Sequence, residues 1–107
     1  MPDALPDPVA RLLAAANANH TDDFLGSFTD DGVVDDWGRE FVGPVAIRSW
    51  SDREFIGKHV SLDIRGVERD GDVTVVTAEV GGAGFNGPSH FSFSVDRGRV
   101  SRMTIRA

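Results

Sequence analysis

The chain has 107 residues, 40% of them hydrophobic, with seven Phe, two Trp and neither Cys nor Tyr; that is the length of one domain, with enough apolar material for a core. Acidic residues outnumber basic ones 17 to 11 for a net charge of −6, so no diffuse positive field is available to attract nucleic acid. The lack of cysteine excludes disulfides, a thiolate nucleophile and thiolate-held metals, and no apolar run approaches the roughly 18 residues of a membrane span.

The opening MPDALPDP carries acid and proline where a secretory leader needs positive charge and an apolar run, so a cytoplasmic protein is expected. From Leu5 to Ala18, Leu5, Val9, Leu12, Leu13 and Ala16 recur at three- and four-residue spacing, which predicts an amphipathic helix. Thr21 is the expected N-cap of a second, short helix, with Asp22 and Asp23 at its positive end and Phe24, Leu25 and Phe28 on its apolar side. Thr29-Asp30-Asp31-Gly32 reads as a turn, with a strand starting at Val33.

Val33, Val34, Trp37 and Phe41 mark extended segments interrupted by a turn or bulge at Gly38-Arg39. Pro44 suits the first turn of a third helix with Val45, Ile47, Trp50 and Phe55 as apolar contributors and Gly57 as terminator. The period then changes to two: Val60, Leu62 and Ile64 alternate with Ser61, Asp63 and Arg65. Asp70-Gly71 turns that strand into a second one, Val73 to Val80, whose Val75 and Val76 face opposite ways and predict a sheet covered on both sides, by helices on one face and a second subunit on the other.

The glycine-rich run from Gly81 to Pro88 lacks the spacing of a phosphate-binding or dinucleotide motif and reads as an inter-strand loop or as a lid over a ligand. Phe91, Phe93 and Val95 then share one strand face, and Asp96-Arg97-Gly98 turns into a last strand ending with Met103 and Ile105. The order of helix, helix, strand, helix and antiparallel meander is a single α+β domain over residues 1–107, with helices filling one face of a sheet.

The histidines at 20, 59 and 90 are too dispersed to predict a metal site, and the acid pairs Asp22-Asp23 and Asp30-Asp31 are accounted for as caps and turns. No metal or cofactor is expected. Asp35 and Asp36 differ, because period two sends them to opposite faces of a strand. Asp36 has two readings: an acid or base in an apolar pocket, or a salt-bridge partner of Arg39 or Arg48. Trp50 and Phe55 are core or pocket wall. Ser89 falls on the Phe face, whereas His90 falls on the opposite one, so the two do not form a nucleophilic pair.

The stretch from Asn17 to Phe24, the run Phe28-Thr29-Asp30-Asp31-Gly32-Val33-Val34 and the segment Gly43-Pro44-Val45-Ala46-Ile47-Arg48 together resemble the nuclear transport factor 2-like superfamily. More narrowly, they resemble its small SnoaL-like and ketosteroid-isomerase-like bacterial members. The resemblance implies a cone of three N-terminal helices on a strongly curved, mixed, mostly antiparallel sheet, an apolar cavity between them, and a homodimer. It places Asp36 on the general-base carboxylate of the ketosteroid isomerases, a reaction for which carboxylate and oxyanion-hole chemistry is well understood. Their oxyanion-hole tyrosine falls on Leu12, and their protonated aspartic acid on Ser89 in Ser89-His90-Phe91-Ser92-Phe93, so steroid isomerisation is not expected. No match is found to the arginine-bridged carboxylates of epoxide hydrolases, and Met103-Thr104-Ile105 lacks the acid of a cyclase-type site. The resulting expectation is a pocket for a small apolar or carbonyl-containing metabolite. Asp36 and Ser89 would be its chemical residues and Leu12, Trp50, Phe55, Phe91 and Met103 its wall. A non-catalytic ligand-binding or association domain is the rival.

Overall fold

Apolar residues at helical spacing and β-branched runs bounded by turns give the described residues three α-helices and six strands. The computed structural model describes residues 5–107; residues 1–4, the start of the acid- and proline-rich opening, lie outside the described residues. In order come α1 (Asp7–Asn17), α2 (Thr21–Gly26), β1 (Phe28–Asp36), β2 (Arg39–Val42), α3 (Gly43–Glu54), a 3₁₀ turn (Ile56–Lys58), β3 (Ser61–Asp70), β4 (Val73–Gly81), β5 (Gly87–Asp96) and β6 (Arg99–Arg106). The strands form one sheet in the order β2-β1-β6-β5-β4-β3. It is mixed: β3 to β6 is an antiparallel meander, and β1 runs parallel to β6 and antiparallel to β2.

Helix α1 starts a little later than its periodicity suggests, because Pro6 caps it and Pro8 occupies its first turn. Val9, Leu12, Leu13, Ala15 and Ala16 face inward, and the helix lies on β3, β5 and β6. Asn17 fastens its end to the sheet edge: its side chain accepts from the Leu62 N–H at 2.6 Å and donates to the Leu62 carbonyl at 3.1 Å. Thr21 is already helical; the cap position of α2 belongs to His20, without a side-chain cap bond. Helix α3 lies on β1 and β2 and buries Ile47, Trp50 and Ser51. Val45, expected on its apolar side, is instead 83% exposed.

Several local expectations are corrected. Thr29–Gly32 is not a turn before β1 but a bulge within it: Phe28 pairs with Val100 and Val33 with Arg102, so β1 takes extra residues between two closely spaced partners. The tight turn after β1 is Trp37-Gly38, both with positive φ (55° and 90°), rather than Gly38-Arg39. Gly57 does not end α3, which ends at Glu54 with Phe55 as its C-cap; it sits in the 3₁₀ turn, where a Cβ would fall 1.7 Å from the Asp52 carbonyl oxygen. Val95 and Ile64, expected inside, are each 39% exposed, and a register shift lies next to each. Strand β3 turns into β4 where expected, but the two turn residues are Gly71-Asp72 rather than Asp70-Gly71, because Asp70 is still paired to Val73.

Strand register sorts the inner residues into lateral rows. Thr74, Phe93, Met103 and Val34 align across four strands in one row; Val76, Phe91, Ile105 and Asp36 align in the next. The first row is sealed, every member being at most 1% exposed. Aromatic rings fill the space between helices and sheet: Trp50 stacks on Phe55 at 4.9 Å, and Phe55 lies 5.6 Å from Phe24 and 6.5 Å from Phe91. Among the described residues no helix is long and apolar enough to cross a membrane.

Candidate functional site

Where the second row reaches the end of the sheet, the core opens into a cavity of about 400 Å³. Trp50, Phe55, Phe91, Ile105, Val60 and Val80 give it apolar walls; Asp36, Arg39, Arg53, Glu54 and Lys58 supply the charge around it, and Trp37 and Phe85 add aromatic surface. Ser89 also lines it and is 2% exposed. Of the residues singled out from sequence, the structure therefore brings Asp36, Ser89, Trp50, Phe55 and Phe91 to one cavity. Leu12 and Met103 are not part of its lining. Both are fully buried in the core, Met103 in the row below Ile105, where Phe93 and Val34 close the space around it.

The position of Asp36 follows from β1 pairing. Asp36 shares the inward row with Ile105 and Phe91, while its neighbour Asp35 joins the outward row of Thr104, Ser92 and Val75. Because the turn takes up Trp37 and Gly38, Arg39 is the residue directly opposite Asp36. Its guanidinium donates to Asp36 Oδ2 at 2.6 Å and, through two nitrogens, to both oxygens of Glu54 at 2.8 and 3.0 Å. The Trp50 indole N–H also donates to Asp36 Oδ2, at 3.1 Å. Both contacts of the Asp36 carboxylate thus fall on one oxygen. Arg48, the other partner considered for Asp36, pairs with Asp22 instead.

Hydrogen bonds from Arg39 hold the Glu54 carboxyl below its usual range against an opposing contribution from burial, and Glu54 in turn raises Arg39. An arginine between two carboxylates is an arrangement the sequence reading did not find. The Asp36-x-x-Arg39 spacing around a two-residue hairpin turn is its one visible signal. Glu54 has none, since it arrives from the far end of α3. Lys58 and Phe85 were missed for the same reason, being delivered by a 3₁₀ turn and a loop. That loop is fastened rather than loose: the Ala83 N–H donates to the Lys58 carbonyl at 2.8 Å, and the Asn86 amide donates to the carbonyls of Gly82 and Gly84. His59 and His90 do not line the cavity. No three His, Asp or Glu side chains among the described residues converge as a metal site.

A profile of the SnoaL-like domain matches residues 9–103, nearly the whole chain. The chain belongs to the SnoaL-like family. Among solved structures, this SnoaL-like chain is 31% identical to a protein from Sinorhizobium meliloti whose name carries a provisional polyketide cyclase assignment, with a TM-score of 0.83 over 95% of each chain. It shares its fold with a Catenulispora acidiphila protein of ketosteroid isomerase-like fold, crystallised with trimethylamine, at 20% identity and a TM-score of 0.80 over 97% of this chain and 87% of that one. A computationally designed binder of 17-OHP shares the fold too, at 15% identity and a TM-score of 0.79 over 94% of this chain and 88% of that one. No curated protein resembles the chain closely enough in sequence to count as a match. The SnoaL-like assignment supports the α+β cone expected from the resemblance and leaves the reaction to be argued from the cavity itself.

Proposed function

We propose that this SnoaL-like protein binds a small, largely apolar carbonyl compound in the cavity and moves a proton on it without a cofactor, with Asp36 as acid-base residue. The observation that supports this reading is the Asp36 carboxylate itself. It shares a row with Ile105 and Phe91 and is oriented through Oδ2 by Arg39 and Trp50, which leaves Oδ1 to accept a proton. Asp36 would take a proton from the carbon next to the carbonyl, the C–H electron pair moving into the enolate, and the Ser89 hydroxyl would donate to the enolate oxygen. Return of the proton at another carbon isomerises the ligand. Attack of the enolate carbon on a second carbonyl of the same molecule closes a ring, and the proton goes to the new alkoxide.

The test uses 2-tetralone, a bicyclic ketone with acidic α-hydrogens, and follows their exchange in D₂O by NMR with and without protein. The expected result is catalysed exchange that falls by about 10²–10⁴ in Asp36→Asn, with tetralone affinity kept within a few-fold. Exchange equal in both proteins would remove Asp36 from this role.

One observation favours a second reading, binding without turnover. Asp36 is already engaged by Arg39 at 2.6 Å and by the Trp50 indole N–H at 3.1 Å, contacts that suit a fixed salt bridge as well as a base. Saturable binding of tetralone with no exchange would select that reading. We also propose a homodimer across the outward sheet face. Half-buried Val33, Val73, Val75, Thr77, Ser92 and Thr104 form a shared surface there, an outward face of the kind a second copy covers.

A further inference from the structure

The charge around the cavity does not match that of the chain. Arg39, Arg53 and Lys58 line it against Asp36 and Glu54, a local excess of positive charge in a protein of net charge −6. Both acids are taken up by the same arginine: Arg39 binds Asp36 and Glu54 together. The other two cations have no carboxylate partner within ion-pairing distance among the described residues; Arg53 donates to the Ser49 hydroxyl at 2.6 Å, and Lys58 makes no salt bridge.

Lys58 is held at this place by its backbone. Its carbonyl accepts from the Ala83 N–H. A Cβ built on Gly84 would lie 3.4 Å from both Cβ and Cγ of Lys58, so the lysine stem runs beside the glycine-rich loop. The apolar stem packs on the loop while the ammonium stays near solvent, the usual division of labour in a lysine side chain. A cation of this kind next to aromatic walls recognises an anion whose body is apolar. Low-dielectric walls strengthen the attraction relative to open water.

We infer that the ligand of this cavity is an amphipathic anion, an apolar ring system carrying one carboxylate or equivalent acidic group that Lys58, with Arg53 beside it, engages at the cavity edge. The inference rests on the cavity being the binding site and adds the charge of the ligand to it. The Arg39 bridge has a second role in this arrangement. By pairing with both Asp36 and Glu54 it offsets one of their two negative charges and draws both carboxylates to itself, and it leaves the proton-transfer carboxylate and the anchoring cation as separate features of one pocket.

Two fluorescent probes that differ by one sulfonate group test this: 8-anilinonaphthalene-1-sulfonate and its neutral parent N-phenyl-1-naphthylamine. The chain has two tryptophans; in a Trp37→Phe background the only one left is Trp50, in the cavity wall, so the NMR shift of its indole N–H reports occupancy of this site. At low salt the sulfonate is expected to bind about threefold to tenfold more tightly than the neutral probe. Lys58→Met should remove most of that difference and Lys58→Glu should reverse it, while the neutral probe changes by less than about twofold. Circular dichroism of each exposed-site variant checks that the fold is kept. Equal affinities, a tighter neutral probe, or a preference that survives Lys58→Met combined with Arg53→Gln would overturn the inference and leave the pocket standing. If neither probe shifts the Trp50 indole N–H resonance, the cavity reading and the inference fail together.

Discussion

Asp35 and Asp36 are adjacent in the chain and end in different environments because successive strand residues point to opposite faces. Asp36 turns inward to Arg39 and Trp50. Asp35 turns outward, yet it is the more buried of the two at 7% exposure, since Arg106 and Arg102 close over it and the Gly38 N–H donates to it at 2.7 Å. Hydrogen bonds from Arg106 foremost, then the Gly38 N–H and Arg102, hold its carboxyl below the ordinary range against burial. A carboxylate with a depressed folded-state value stabilises the fold above its unfolded value of about 3.9, and that contribution disappears as pH falls through the folded value. Asp35→Asn keeps the shape and removes the charge. It should lower stability at pH 7 by about 1–2 kcal/mol, and the deficit should shrink steadily below about pH 4, as read from urea midpoints across the pH range. A deficit that stays constant into acid would show that the charge is not what matters. The split between the two aspartates was legible in the period of the strand. Arg39 was one of the two partners open to Asp36, but the arginines that meet Asp35 were not legible, because Arg102 and Arg106 come from the other end of the chain.

At the level of elements, turns decide what the strands can present. The hairpin between β3 and β4 was readable, one residue off at Gly71-Asp72, because a short turn with Gly at positive φ is a local requirement, and Gly71 has φ 61° with open space around it. The Trp37-Gly38 turn was misplaced by one residue, and that residue matters: with Arg39 in the turn it could not stand opposite Asp36. Gly57 shows a different constraint, since its neighbours rather than its dihedral exclude a side chain. The two positions therefore predict different losses in a denaturation series. Gly71→Ala should cost about 1 kcal/mol, the price of a left-handed backbone alone, whereas Gly57→Ala should cost at least about 2 kcal/mol because the end of α3 must move away from the new Cβ. It should also weaken probe binding, since Glu54 and Lys58 flank that junction. Equal losses at the two positions would contradict this steric account.

Across the whole molecule, the sheet has one face sealed by helices and aromatic rings and one face left half-covered. Val75, Ser92, Thr104, Asp35 and Glu40 line up across five strands of that second face, with Val42 58% exposed at its edge. If two copies meet there, Ser92→Arg places like charges at the centre of the interface and should convert a dimer to a monomer in sedimentation velocity without loss of helical signal. A wild-type chain that sediments as a monomer at micromolar concentration would remove the dimer.

The sequence by itself determined the elements, the α+β class and the family. Those depend on local periodicity, turn chemistry and motifs that lie within a few residues of one another: the spacing of Val9, Leu12 and Ala16, the alternation around Phe91 and Phe93, the glycines at Gly71 and Gly98. It also singled out Asp36 and set it on the opposite face from Asp35, while strand register decided which of the two faces inward. Tertiary structure alone decided that Leu12 and Met103 are sealed core and that the cavity opens one row above them. It also decided that Glu54 joins the Asp36–Arg39 pair and that Lys58 lines the same cavity. These outcomes depend on strand register and on where α3 and the glycine-rich loop come to rest. The residues involved meet across sheet pairings and helix ends, and their side chains carry no local signal of the distant partner they will find.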